Sequence, residues 1–151
     1  MHFPIFVDLT DKLVVVIGGG RIATRRIKTL LRFGCSIKVV ALQLDDQLRE
    51  LADSKQIEYV CAAYAEHYLH TAFMVIGATD DRTVNHAVYL AAKSLAIPVN
   101  IIDRKEECSF FFPAVFENEH ICGGLISKGG QQHGLAKESA ARIRELLNGG
   151  N

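Results

Sequence analysis

Short runs of apolar residues alternate with amphipathic segments along most of the chain. The runs predict five β-strands, at Leu13–Ile17, Ser36–Ala41, Ile57–Ala62, Phe73–Ala78 and Pro98–Ile102. Apolar residues between them recur at helical spacing, first after the opening strand and then over Asp45–Asp53 and Arg82–Leu95. Gly34 is expected to end the first helix. Such alternation is typical of an α/β fold with a parallel, doubly wound sheet and right-handed crossovers.

The pattern changes after Asp103. Two extended segments are predicted at Ser109–Val115 and Ile121–Ser127, and the short gap between them favours an antiparallel hairpin added to the edge of the sheet. Gly134–Leu147 has the apolar spacing of a closing helix. We therefore expect a main α/β domain over residues 1–113 and a strand-helix extension over residues 114–151.

The first strand runs directly into a G-x-G-x-x-A turn, and a helix follows. In dinucleotide-binding domains the first glycine permits the tight turn, the second gives the pyrophosphate room, and the small last residue lets the helix lie close to the strand. The helix N-terminus presents free N–H groups to the anion. This context predicts a Rossmann-like nucleotide site, although glycine turns also occur for steric reasons alone. The candidate cofactor contacts are Gly18, Gly19, Gly20, Arg21, Ile22 and Ala23.

Polar side chains also occur where two later strands end. Thr79 and Asp80 follow the fourth strand, and Asn100 lies near the end of the fifth. Because the carboxyl ends of parallel strands meet at one edge of the sheet, these three residues are candidate cofactor contacts beside the glycine turn. Asp80 or Asp81 has an alternative role, which is to cap the helix that follows.

Asp103 directly follows the fifth strand and is expected at the rim of the same crevice, with apolar neighbours. Burial of that kind suits a carboxyl group to accept a proton, which makes Asp103 the candidate catalytic residue. An equally good interpretation is an aspartate that opens a turn and pairs with Arg104 or Lys105.

The end of the second strand bears on the choice of cofactor. No Asp or Glu stands where a ribose-binding acid is usual, and Asp45 and Asp46 come slightly later. No Arg or Lys stands there to bind a 2′-phosphate, so the pattern favours NAD over NADP. A ribose contact from Gln43 or from the backbone stays open.

Charge and composition narrow the range of partners. Seventeen basic residues balance seventeen acidic ones, so the net charge does not favour binding to nucleic acid or to an anionic membrane. The N-terminus lacks the basic start and long apolar stretch of a signal peptide, so we expect a cytoplasmic protein without a membrane segment. Cys35, Cys61 and Cys122 lie in or beside apolar segments and are expected to be buried free thiols.

Three local features allow either a binding role or a plain structural one. His67 and His70 have i, i+3 spacing but no third ligand nearby, so no metal site is assigned. Arg21 and Arg25 lie near the predicted crevice, where an anionic substrate would arrive, although a basic outer helix face is also ordinary. The turn Ser127-Lys128-Gly129-Gly130 is either an anion-binding loop or a connector.

Taken together, the motifs resemble the N-terminal module of the sirohaem synthases, and the match covers nearly all of the chain. The matching motifs are Phe3–Leu9, Val16–Ala23, Ala78–Asp81 with Asn85, Val99–Asp103, Cys108–Ala114 and Ile126–Gly130. The Ser-Phe-x-x-Pro motif that starts at Ser109 and the Ser-x-Gly-Gly motif that starts at Ser127 are not general features of Rossmann domains. The combination is therefore specific.

This resemblance implies an NAD-dependent dehydrogenase that converts precorrin-2 to sirohydrochlorin, a step toward sirohaem or a cobalt corrinoid, with Asp103 as its acid/base group. Some members also insert a metal ion, Fe²⁺ or Co²⁺, and relatives form homodimers through a region that would begin within residues 114–151. The alternative function is a regulatory module that binds NAD without catalysis. The residues expected near the polyanionic macrocycle are Arg21, Arg25, Arg104, Lys105, Lys128 and Ser127.

Overall fold

The computed structural model describes residues 2–128 and 132–149. The strands in these ranges are β1 (Leu13–Ile17), β2 (Ser36–Ala41), β3 (Glu58–Cys61), β4 (Met74–Gly77), β5 (Val99–Ile101), β6 (Ala114–Glu117) and β7 (Cys122–Leu125). The α-helices are α1 (Arg21–Leu30), α2 (Asp46–Asp53), α3 (Arg82–Ser94) and α4 (His133–Asn148). Short 3-10 turns lie at Leu31–Phe33, Glu66–Leu69 and Lys105–Glu107.

Strands β1 to β5 form one parallel sheet with the order β3-β2-β1-β4-β5. The chain moves outward from β1 to β3, then returns to place β4 on the other side of β1. The order therefore reverses between β1 and β4, which is where open α/β sheets form a ligand crevice at their carboxyl ends. This arrangement confirms the predicted Rossmann-like fold class.

The centre of the sheet is the core of the molecule. Val14, Val15 and Val16 in β1 are fully buried, and all four residues of β4 are buried. Both faces of these strands are covered, which explains why their sequences are continuous apolar runs rather than alternating ones. Gly34 lies in the left-handed region at φ +69° directly after the Leu31–Phe33 turn, which confirms it as the stop of the first helical segment.

The hairpin after Asp103 corrects one prediction. Strands β6 and β7 pair with each other in a separate antiparallel sheet, so they do not extend the edge of the main sheet. The edge of β5 is covered by the segment before the hairpin. The backbone N–H of Val99 donates to Ser109 Oγ at 2.8 Å, and that of Ile101 donates to Cys108 Sγ at 3.2 Å. These side chains satisfy edge groups that would otherwise bind another strand.

The described chain divides into two compact units. One comprises residues 6–110, and the other comprises residues 2–5 with residues 111–128 and 132–149. In the second unit α4 packs on the hairpin, and Arg144 donates to the carbonyl oxygen of Val115 at 2.7 Å. The predicted domain boundary after residue 113 stays a prediction. No helix in the described ranges has the length and apolar character needed to cross a membrane.

The cysteines are free, but their burial differs from the prediction. Cys35 is buried, whereas Cys61 and Cys122 are exposed. Cys61 ends the edge strand β3 and Cys122 begins β7, so each lies at the margin of a sheet. The prediction of buried thiols was therefore wrong for these two residues.

Candidate functional site

The glycine turn after β1 is tightly packed against its neighbours at Gly18. This residue has φ +111°, and a Cβ built on it would lie 2.3 Å from the carbonyl oxygen of Ala78. The Gly18 N–H donates to the carbonyl oxygen of Val40 at 2.9 Å. The Ala78 N–H donates to the carbonyl oxygen of Ile17 at 2.7 Å. Only glycine fits a position with this angle and this clearance.

Gly19 and Gly20 have opposite surroundings. A Cβ on Gly19 would lie 2.3 Å from the carbonyl oxygen of Gln43, and the Asp45 N–H donates to the Gly19 carbonyl at 2.7 Å. Around Gly20, apart from its own neighbours along the chain, no atom of the described residues lies within 4 Å of a built Cβ. The loop after β2 therefore packs against the turn at Gly19, while Gly20 leaves space at the N-terminus of α1. That space suits a phosphate group approaching helix N–H groups.

The remaining residues of the motif fit this geometry. Ala23 is fully buried, as expected for a small side chain where α1 lies close to the sheet. Arg21 and Ile22 are exposed beside the turn. The side chain of Gln43 is also exposed, so its contact with a ribose stays a prediction. Asp45 caps α2 by accepting from the Gln47 N–H at 3.1 Å.

Asn85 organises the loop after β4. It is fully buried, and its Oδ1 accepts from the Thr79 N–H at 3.1 Å and lies 2.8 Å from the Thr79 hydroxyl. Its Nδ2 donates to the Thr79 carbonyl at 3.0 Å and to Asp103 Oδ1 at 3.1 Å. Thr79 is thus engaged within the protein, and its predicted cofactor contact stays a prediction. Asp81 caps α3 through the N–H groups of Thr83 and Val84, while Asp80 is exposed.

We expect Asn85→Ala to lower the free energy of unfolding by about 1–3 kcal/mol, because it leaves several buried polar groups without partners. Urea unfolding followed by circular dichroism measures this difference. Thr83→Ala is the matched control, since Thr83 is exposed in the same helical turn and should change the free energy by less than about 0.5 kcal/mol. Equal effects of the two substitutions would contradict the role assigned to Asn85.

Asp103 lies in the turn after β5, and 36% of its side chain is exposed. Its Oδ1 accepts from Arg82 Nη1 at 2.9 Å and from Asn85 Nδ2 at 3.1 Å. The expected burial of Asp103 is therefore wrong, and α3, which begins at the same edge of the sheet, brings two polar groups to its carboxylate. Asp103 does lie in a turn, as the alternative interpretation expected. The cation paired with it is Arg82, however, rather than Arg104 or Lys105.

A second carboxylate shares Arg82. Glu107 bonds with Arg82 Nη2, and His86 Nδ1 lies 2.9 Å from Glu107 Oε1. Only 15% of the Glu107 side chain is exposed. Burial acts to raise the pKa of Glu107, but the hydrogen bonds from Arg82 and His86 outweigh it and hold that pKa below its ordinary value. Glu107 is therefore a charged partner that keeps the guanidinium in place.

The lowered pKa of Glu107 makes its contribution to stability dependent on pH. For a carboxyl group with a depressed folded pKa, the stabilisation is fully present above the unfolded value, here 4.5, and is lost as pH falls through the folded value. We expect Glu107 to stabilise the fold above pH 4.5, so that the difference in unfolding free energy between the wild type and Glu107→Gln shrinks as pH falls below that value. Urea unfolding over a pH series measures it. The neighbouring exposed residue provides the control, Glu106→Gln, and a parallel loss in that variant would contradict the assignment.

Arg26 is a site residue that the sequence analysis missed. Its Nη1 donates to Asn100 Oδ1, and Asn100, itself 3% exposed, donates from Nδ2 to the Phe110 carbonyl at 2.7 Å. Burial lowers the pKa of Arg26 to about 10. The signal was available, because Arg26 shares a helix face with the buried residues Ala23 and Leu30. Asn100 is engaged at both ends of its amide, so its cofactor contact stays a prediction.

The candidate substrate contacts are less defined. Arg25 is exposed on α1. Ser127 and Lys128 belong to the second unit, where Ser127 Oγ accepts from the Gln132 N–H at 3.1 Å. The rest of that turn, Gly129 and Gly130, lies outside the described residues. Within the described chain, no group of three or more His, Cys, Asp or Glu side chains could hold a metal ion.

Comparison with known proteins identifies the family to which the chain is similar. Residues 5–114 match a family described as putative NAD(P)-binding. The "Probable multifunctional siroheme biosynthesis protein HemA" of Ruminiclostridium josui is 50% identical over 96% of this chain, and "Siroheme synthase 1" of Pectobacterium atrosepticum is 37% identical over 97%. These alignments span 28% and 30% of the two relatives, so the chain covers under a third of their length.

A solved structure is similar over nearly the whole chain. "SirC, precorrin-2 dehydrogenase" superposes with a TM-score of 0.72 and 28% identity, covering 99% of this chain and 71% of that one. The likeness extends through the hairpin and α4, which general Rossmann domains do not require. The resemblance to the N-terminal module of the sirohaem synthases is thereby confirmed. The chain belongs to the putative NAD(P)-binding family, as a Rossmann-like domain of the sirohaem synthase type with a nicotinamide dinucleotide as its cofactor.

Proposed function

We propose that this chain carries out the NAD-dependent dehydrogenation of precorrin-2 to sirohydrochlorin. The observation that supports this most directly is the arrangement at one edge of the sheet. Gly20 leaves open space after β1, and Asp103 follows β5 with one carboxylate oxygen held by α3. Only β4 separates these two strands. The similarity to a protein named precorrin-2 dehydrogenase supports the same reaction.

Each residue of the site has a separate role in the proposed reaction. Gly18 and Gly19 shape the turn, and Gly20 with the N-terminus of α1 receives the pyrophosphate. Bound NAD supplies the hydride acceptor. Asp103 accepts the proton that leaves the macrocycle, because every hydrogen bond it receives from the described chain ends on Oδ1 and Oδ2 receives none. Arg21 and Arg25 are exposed near the turn and attract the substrate's carboxylates.

The test is direct incubation of the purified protein with precorrin-2 and NAD. We expect NADH to form in step with the absorption spectrum of sirohydrochlorin, and neither to form when NAD is omitted. Tight NAD binding without turnover would overturn the proposal and favour the regulatory module.

Further parts of the proposal rest on the family resemblance. They are a cytoplasmic location, a homodimer and the use of Fe²⁺ or Co²⁺ as a second substrate for metal insertion. Adding either ion after the NADH signal has levelled off separates the two activities. Loss of the sirohydrochlorin spectrum faster than in a protein-free control is the result expected for a chelatase.

A further inference from the structure

Arg82 contacts two carboxylates at once from the first position of α3. Its Nη1 donates to Asp103 Oδ1 at 2.9 Å, and its Nη2 bonds with Glu107 Oε2. The guanidinium therefore links the turn that carries Asp103 to the 3-10 turn Lys105–Glu107. Neither contact is visible in the local sequence pattern, because 21 and 25 residues separate the partners.

We propose that Arg82 is a positioning residue for Asp103. It holds Oδ1 in place and neutralises the negative charge of Glu107 beside it, so that Oδ2 stays available to the substrate. This inference rests on the proposed function, in which Asp103 accepts a proton.

The backbone of Arg82 is well anchored for such a role. The preceding residue, Asp81, caps α3 and accepts from the Thr83 N–H at 2.7 Å, which fixes where the helix starts. The planar guanidinium then donates from two nitrogens in a fixed fork. A lysine has a single nitrogen and would hold only one of the two carboxylates in good geometry.

Asn85 fixes the position of the Asp103 carboxylate, whereas Arg82 also balances its charge. Asn85 is neutral and fully buried, and it is held by Thr79, so it sets the position of Oδ1 without changing the charge. Arg82 supplies the charge that two carboxylates share. Without it, the negative charges of Asp103 and Glu107 would repel each other with no cation between them. Other charged or titratable groups of the described chain near this pair include His86 on α3, Arg104, Lys105 and Glu106 in the following turn, and Cys108, which interacts electrostatically with Glu107.

Arg82 is not needed to fill the core. Its side chain is 35% exposed, and ion pairs at such positions contribute little to stability. We therefore expect Arg82→Met, which keeps most of the alkyl chain, to fold normally. Lys93→Met is the matched control, since Lys93 is an exposed cation near the other end of the same helix.

The experiment follows the chemical shift of the Asp103 carboxyl carbon at neutral pH by NMR, together with kcat, KM and the Kd for NAD. The Asp103 signal is assigned from its loss in Asp103→Asn. In Arg82→Met we expect this chemical shift to change, because Oδ1 loses a charged hydrogen-bond donor, and kcat at neutral pH to fall about tenfold. The NAD Kd of Arg82→Met should stay unchanged, and Lys93→Met should have the wild-type Asp103 chemical shift and kcat. Arg82→Lys should lie between Arg82→Met and the wild type.

A double variant tests the charge argument separately. Adding Glu107→Gln to Arg82→Met removes the like charge, so kcat should return part of the way to the wild-type value. An Asp103 chemical shift in Arg82→Met equal to that of the wild type would overturn the inference. So would a fall in kcat that comes only with a loss of thermal stability and of NAD affinity, because that pattern marks a structural residue. If the wild type does not oxidise precorrin-2, the proposed function fails, but the Asp103 chemical shift still decides whether Arg82 positions that carboxylate.

Discussion

Replacing Asp103 by asparagine is expected to lower kcat for precorrin-2 oxidation by about 10²- to 10⁴-fold, the usual contribution of a positioned general base. The amide oxygen of asparagine can still accept from Arg82 and Asn85 in place of Oδ1, so the turn should keep its structure. The NAD Kd should therefore stay within about twofold of the wild type. NADH formation measures kcat, and titration calorimetry measures the Kd, since the chain has no tryptophan to report binding.

Asp53→Asn is the control for Asp103→Asn. Asp53 is an exposed aspartate at the end of α2, away from the crevice edge of the sheet, and its loss should change neither kcat nor the Kd. Equal losses of turnover and of NAD affinity in Asp103→Asn would mean that Asp103 maintains the structure of the site. An unchanged kcat would remove it from the reaction altogether.

The main sheet was predictable because its strands are specified locally. β1 and β4 are apolar at consecutive positions and lie in the middle of the sheet, where both faces are covered. Gly34 and Asp81 act at helix ends through their own backbone or side chain, so short-range rules also sufficed for them. The glycine turn was predictable for the same reason, because β1, the turn and α1 follow one another directly in the sequence.

The surroundings of Asp103 were not predictable in this way. Arg82 and Glu107 reach the site from separate elements, and periodicity carries no information about which long side chains meet across a sheet edge. The same limit applies to the edge of β5. Cys108 and Ser109 look like part of an extended segment, yet their side chains satisfy the strand's backbone groups. These backbone groups of β5 are therefore not available to pair with a strand of the hairpin.

Gly18→Ala and Gly20→Ala are expected to separate folding from cofactor binding within one turn. At Gly18, φ is +111° and the new Cβ would lie 2.3 Å from a backbone oxygen of Ala78. Backbone strain and this clash together should lower the free energy of unfolding by about 3 kcal/mol or more. At Gly20, φ is −88° and the described chain leaves the Cβ position open. Alanine should fold there with a change below about 0.5 kcal/mol.

The effect of Gly20→Ala should instead fall on NAD. A methyl group in the space assigned to the pyrophosphate would push the phosphate away from the helix N–H groups, and a loss of about 1.4 kcal/mol already raises the Kd tenfold. Gly134→Ala is the matched control, because its Cβ also meets open space near the start of a helix, in the other unit. Calorimetry on the three variants decides the matter. If Gly20→Ala binds NAD as tightly as Gly134→Ala does, the phosphate lies elsewhere, and the glycine motif serves only the packing seen at Gly18.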